Sequence, residues 1–226
     1  MDELSVEEVQ LKRLVVGPWP MNCYVLIYPE FGQSAVVDPG AEADRILEAL
    51  EDTMVKVILF THGHPDHSGA LIEVREATGA PVAIHSLDAE RLPLPPDFEL
   101  RNGDVVAFGE ECLRVLHTPG HTPGSVCFLC RDLLIAGDTL FPGGPGHTGD
   151  AEAFHMILTS IREKLFPLPD ETVVYPGHGD PTTIGQAKAE YAVFAAQPHP
   201  EDLHGDVTWL PQDDKRSQRA RAQLKL

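Results

Sequence analysis

The sequence predicts an α/β fold, with β-sheet at the centre and helices packed against it. Apolar, partly β-branched runs recur along the chain and end at turns bearing glycine or proline. Segments of helical length lie between several of these runs. The 226 residues are 42% hydrophobic, with no apolar run near membrane-spanning length, which is enough chain for one large domain with a full core. This spacing fits either two sheets with helices outside or a mixed α/β sandwich.

Strands are expected near 11–16, 23–28 and 34–37, followed by a helix near 42–52. Val55-Lys56-Val57-Ile58-Leu59-Phe60 reads as a buried strand. The amphipathic stretch from Gly69 to Gly79 reads as a helix near 68–78 that stops at a glycine. Strands near 82–84 and 112–117 follow, and the Pro-rich piece at 91–97 is a rigid connector between them. The second half adds strands near 125–130, 133–136 and 172–175, with helices near 151–165 and 185–196. Periodicity fades after Gln197-Pro198-His199-Pro200, so residues 1–197 are expected to form the domain and 198–226 a C-terminal tail.

The formal charge of −18 argues against a nucleic-acid partner, because phosphate backbones reward Lys and Arg. The stretch 213–226 is locally basic, with five Lys/Arg against two Asp. It reads as a docking tail or a free end. The start, Met1 to Glu8, is acidic and lacks the apolar core of a secretory signal, so a cytoplasmic location without membrane partners is expected. Cys127 and Cys130 have CxxC spacing, yet residues three apart on a strand point to opposite faces. They are expected to be ordinary small apolar residues.

Thr61-His62-Gly63-His64-Pro65-Asp66-His67 places four metal-ligand side chains within six residues, on a strand-to-helix turn. Imidazole and carboxylate suit zinc and related divalent ions. Three further ligand types occupy similar turns after strand-like runs: His121 in Pro-Gly-His-Thr-Pro-Gly, Asp138 in Ala-Gly-Asp-Thr, and His178 in Pro-Gly-His-Gly. A solvated loop histidine is the better reading for any one of these taken alone. Five histidines and two aspartates in the same repeated context suffice for two metals sharing one carboxylate.

The combination of His-x-His-x-Asp-His, Pro-Gly-His-Thr-Pro-Gly-Ser, Gly-Asp-Thr-Leu-Phe and Pro-Gly-His-Gly resembles the metallo-β-lactamase-fold hydrolases over residues 10–196. Within that family it resembles the glyoxalase II-like (hydroxyacylglutathione hydrolase-like) branch. The resemblance selects the two-sheet alternative: a four-layered αβ/βα sandwich of two mixed sheets flanked by helices, with metals at one edge. It implies that His62, His64 and His121 hold one divalent metal and Asp66, His67 and His178 a second, with Asp138 bridging them. Zinc is the expected metal, with iron or manganese as alternatives. Asp38 matches a position that supports a ligand histidine from behind. His147, in the glycine-rich loop after Asp138, is either a substrate contact or a surface residue.

The chemistry implied is hydrolysis of a small-molecule thioester or related acyl substrate by a hydroxide held between two metals. Asp66 would orient that nucleophile. Only about 30 residues follow the last expected helix, too few for the helical domain that contacts glutathione in full-length glyoxalase II, so glutathione recognition is not implied. A rival on the same fold is a persulfide dioxygenase with one iron at His62, His121 and Asp138. The loop after Asp138 lacks the Cys-Gly-Arg-x-Asp pattern of that branch. Lactonase or β-lactamase chemistry would use the same parts. A binding module without catalysis would be expected to have lost a ligand, and none is lost. A homodimer is compatible with a chain of this size.

Overall fold

The computed structural model describes residues 9–210. In chain order the elements are β1 (Gln10–Val16), β2 (Met21–Tyr28), β3 (Gln33–Val37), α1 (Ala43–Ala49), β4 (Met54–Leu59), α2 (Pro65–Ser68), α3 (Leu71–Thr78), β5 (Val82–His85), β6 (Phe98–Leu100), β7 (Val105–Phe108) and β8 (Glu111–His117). The second half continues with β9 (Val126–Cys130), β10 (Leu133–Gly137), β11 (Leu140–Phe141), β12 (Gly144–Pro145), α4 (Ala151–Ser160), β13 (Val173–Pro176), β14 (Thr182–Thr183) and α5 (Ile184–Ala195).

Two six-stranded mixed sheets form the centre, ordered β1-β2-β3-β4-β5-β6 and β14-β13-β10-β9-β8-β7. β2 explains how they stack. All eight of its residues are buried, and the two-residue period sends Cys23, Val25 and Ile27 to one side and Tyr24, Leu26 and Tyr28 to the other. The first side packs on α1 and α3 through Ile46, Leu71 and Val74. The second side meets the other sheet at Leu113, Val115, Phe128 and Ile135. The outer face of that second sheet is covered by α4 and α5 through Phe154, Ile157, Ala187 and Phe194. The order of layers is therefore helix, sheet, sheet, helix. In β4, Val55 and Val57 face opposite sides although two residues apart. The register against β3 shifts there, leaving exposed Lys56 as the extra residue of a bulge.

Cys127 faces the outer cluster and Cys130 the cluster between the sheets, so the strand period separates the two sulfurs. Several elements differ from the sequence reading. β6, β7, β11, β12 and β14 lie outside the strands expected from the sequence; they are short, and β6 and β7 are mostly exposed strands at the sheet edges. The helix expected over 151–165 is α-helical only to Ser160 and widens over Ile161–Leu165, where Phe166 N–H donates to Ile161 O, five residues back. The helix expected to 52 stops at Ala49, and the chain leaves it through Asp52 with φ of 66°. Among the described residues, no helix is long and apolar enough to cross a membrane.

Packing also continues past residue 197. Leu203, Val207 and Trp209 join the outer cluster, and the Trp209 ring meets Tyr191 edge-on at 5.2 Å. The acidic start and the basic stretch 213–226 lie outside the described residues. Replacing Trp209 with Ala should cost about 3–5 kcal/mol of stability, the usual range for a buried aromatic. Denaturant unfolding of the variant checks this, and a loss below about 1 kcal/mol would mean that the segment does not belong to the core.

Candidate metal centre

All seven ligand-type residues expected from the sequence come together at one edge of the two sheets. His62, His64, Asp66 and His67 follow β4, with the last two on α2. His121 lies on the β8–β9 connection, Asp138 directly follows β10, and His178 follows β13. Three overlapping groups of ligand atoms lie within 4.8 Å of one another: His62/His64/His121, His62/His67/Asp138 and Asp66/His67/His178. Asp138 stands between the outer two. Its Oδ2 is 3.5 Å from His121 Nε2 and 3.8 Å from His178 Nε2, and its Oδ1 is 3.6 Å from His67 Nε2.

The hydrogen-bond partners decide what this cluster can hold. Thr61 Oγ1 donates its one proton to Asp38 Oδ2 at 2.6 Å, so it can only accept from His62 Nδ1 at 3.0 Å. His67 Nδ1 faces Asp38 Oδ2 at 3.0 Å, His121 Nδ1 faces the His147 carbonyl at 2.9 Å, and His178 Nδ1 faces the Pro20 carbonyl at 3.0 Å. Each of these four rings carries its proton on Nδ1 when neutral and presents the Nε2 lone pair to the centre. His62 Nε2 and His121 Nε2 both lie 3.0 Å from His64 Nδ1. Two nitrogens bound to one tetrahedral ion at ~2.0–2.1 Å stand ~3.3 Å apart. His67 Nε2 and Asp138 Oδ1 are buried without a hydrogen-bond partner among the described residues. Acceptors facing acceptors repel, and a divalent cation satisfies them, so the residues present fit a metal.

The electrostatics agree. Burial, reinforced by neighbouring imidazoles, holds His62 well below its usual pKa and brings His64 to about 4, so both are neutral ligands at pH 7. Burial pushes the Asp66 carboxyl up, but His178 and His67 outweigh it and bring the group to about 2. Burial disfavours a charged His67, yet Asp38 and Asp138 together lift it to about 9. In the metal-free protein, then, a proton on His67 supplies part of the positive charge that the carboxylates demand.

Two buried carboxylates hold the ligand loops. Asp38, at the end of β3, accepts from Thr61 N–H at 2.7 Å as well as from His67 Nδ1 at 3.0 Å. Asp88 was not expected. It is fully buried and accepts from Gly63 N–H at 2.9 Å, Thr122 Oγ1 at 2.6 Å and Gly124 N–H at 3.1 Å. It thereby ties the loop of His62 and His64 to the loop of His121. The only sequence signal for it was an acidic residue just beyond a buried strand, as with Asp38. Asn22, also unexpected, donates to the Pro176 and Gly179 carbonyls at 2.9 Å and frames the His178 loop.

His147 is exposed and pairs with Asp206 at 2.9 Å. Its carbonyl, not its ring, is what touches the centre. The backbone is drawn in by Gly146, where a Cβ would sit 1.9 Å from the Asp138 carbonyl oxygen. The loop is held from outside by the segment that follows α5, through Thr148 with Gly205 and the Trp209 N–H to the Gly143 carbonyl at 2.8 Å. His117 Nε2 donates to the Pro123 carbonyl at 2.9 Å, and its ring stacks on His85 at 4.0 Å, away from the ligands.

Helix–sheet–sheet–helix layers with histidines and aspartates at one sheet edge define a class of metal-binding α/β-sandwich enzymes. Residues 16–178 match the metallo-beta-lactamase superfamily, and the chain belongs to it. It is 35% identical over 206 residues to hydroxyacylglutathione hydrolase GloC of Haemophilus influenzae, covering 80% of this chain and 95% of that protein. Among solved structures it resembles ETHE1 from Myxococcus xanthus, with 32% identity, TM-score 0.71, and 79% and 81% of the two chains covered. It also resembles the di-iron-bound form of TTHA1623, with 32% identity, TM-score 0.67, and 77% and 96% covered.

Replacing Asp88 with Ala should weaken metal affinity about 10–100-fold, the usual cost of losing a group that orients ligands. Competition with a chromophoric chelator reads this directly, and unchanged affinity would show that the two loops need no tie. Metal binding must also displace the His67 proton. Because that group sits at about 9 in the metal-free fold, apparent affinity should rise with pH through the neutral range and stop gaining from His67 above 9. Titration calorimetry in buffers of different ionisation enthalpy should detect proton release at pH 7, and its absence would contradict a protonated His67.

Proposed function

We propose that this protein is a metal-dependent hydrolase that cleaves a thioester or related acyl bond with a hydroxide held between two divalent ions. The observation that carries the reading is the position of Asp138, within 3.5–3.8 Å of ligand nitrogens from both outer groups. A single ion would need one of those groups, whereas a carboxylate with two oxygens offsets two dications. Similarity to a hydroxyacylglutathione hydrolase supports the thioester assignment. His62, His64 and His121 would hold one ion, Asp66, His67 and His178 the other, and Asp138 both. Zinc suits the donor set, and iron or manganese would be accepted by it. Such a pair supplies Lewis acidity that lowers the pKa of bound water toward neutrality and polarises a carbonyl oxygen.

The chain's own residues supply the rest. The neutral imidazoles carry no charge to cancel that acidity. Of the two carboxylates in the cluster Asp66 is the more open to solvent, at 26% against 12% for Asp138. Its low pKa keeps it an acceptor at neutral pH, able to orient an attacking water from the open side. Asp38 and the Pro20 and His147 carbonyls fix ring orientation, so the ligands need not reorganise during turnover.

Similarity to ETHE1 of Myxococcus xanthus keeps a mononuclear dioxygenase as the second reading. The seven-residue set is compatible with both readings, and the loop after Asp138, which lacks the Cys-Gly-Arg-x-Asp pattern, favours the hydrolase. Replacing Asp138 with Ala should reduce bound metal below one ion per chain and abolish thioester cleavage together, by at least about 100-fold. Elemental analysis beside turnover of S-lactoylglutathione tests this. Full activity with less than one ion per chain would overturn the two-ion mechanism.

A further inference from the structure

A groove of about 160 Å³ opens beside the metal centre, between the β1–β2 turn and the start of α2. Its walls are Val16, Pro18, Trp19, Ala41 and Pro65, and Asp66 is its only charged lining residue. Asp66 thus borders both the groove and the ligand cluster. Trp19 is 57% exposed, an unusual position for the largest apolar side chain.

The turn that carries Trp19 is held on both flanks. Gly17 N–H donates to Glu42 Oε1 at 2.8 Å, and Arg45 donates to the Val15 carbonyl at 3.0 Å. On the far side the Pro20 carbonyl meets His178 Nδ1 at 3.0 Å. Pro18 and Pro20 stiffen the backbone around the ring. Below it, Gly40 lets the chain pass close: a Cβ there would lie 2.0 Å from both the Asp66 carbonyl oxygen and Met21 Cε. The backbone that carries the indole is therefore held in place beside the groove.

We propose that this groove binds one apolar, uncharged arm of the substrate, and that Trp19 determines specificity for it. The inference rests on the hydrolase reading and adds the substrate class: a thioester or ester with a short aliphatic or aromatic substituent. At about 160 Å³, with Val16, Pro18, Trp19, Ala41 and Pro65 as its apolar walls, the groove suits a short apolar arm. No Lys, Arg or His lines the groove to pair with a carboxylate. The chain's net charge of −18 further disfavours an anionic arm such as that of glutathione.

The test uses the metal-loaded full chain and thioesters of N-acetylcysteamine, an uncharged thiol. The acyl arm is lengthened from acetyl to hexanoyl in one series, and the thiol is replaced by simple alkanethiols of increasing length in another. In one of the two series kcat/KM should rise about fourfold per buried methylene. Trp19→Ala should flatten that rise while metal content stays at the wild-type value. Calorimetric titration with the inert thioether S-hexyl-N-acetylcysteamine provides a readout independent of turnover. It should bind the wild type at least tenfold more tightly than the Trp19→Ala variant, and more tightly than S-hexylglutathione binds the wild type. Binding that ignores alkyl length and Trp19, or a preference for the anionic thioether, would overturn the proposal. If no thioester is cleaved the hydrolase reading fails, and the thioether titration still decides the groove.

Discussion

Lone pairs repel one another, and the middle of this molecule is built from them. The Nε2 atoms of His62, His67, His121 and His178 face inward because each Nδ1 is committed to an oxygen behind it. Asp66 and Asp138 add anionic oxygens to the same space. Such an arrangement holds together only if positive charge occupies it, as a proton on His67 or as metal ions. The rest of the structure can be understood as what keeps seven acceptors aimed at one another. Two closely packed sheets fix the strand ends from which the ligand loops leave, and buried carboxylates and backbone carbonyls fix the rings.

Asp38 and Asp88 share this task from different places. Asp38 sits at the end of β3 and braces His67 directly and His62 through Thr61. Asp88 touches no ligand ring and braces backbone, joining the two loops whose three histidines form one group. Both are fully or almost fully buried, a position a carboxylate tolerates only when its oxygens are saturated with donors. Farther out, the segment after α5 presses on the loop whose carbonyl orients His121. Packing about Trp209 is thus connected to ligand geometry through a continuous series of contacts.

The seven ligand-type side chains that converge here were legible in the sequence, because histidine or aspartate on a turn after an apolar run has a recognisable local context. The strand period was equally legible: it separated Cys127 from Cys130 before their clusters were known. What could not be read were partnerships between distant loops. Asp88 meets Thr122 34 residues away, and Asn22 meets Gly179 157 residues away, and neither leaves a local pattern. Trp209 lies in a stretch without periodicity, so its burial depends on α5 and Phe166 being there to receive it. Nothing in the sequence indicated that the His147 carbonyl, rather than its exposed ring, would face His121.

The most direct measurement is X-ray absorption spectroscopy on protein loaded with zinc or iron, recorded beside ion content per chain. Two ions sharing Asp138 predict histidine-rich first shells together with metal–metal scattering at ~3.5–4 Å. One ion per chain with no metal–metal scattering, at saturating metal, would contradict the shared centre.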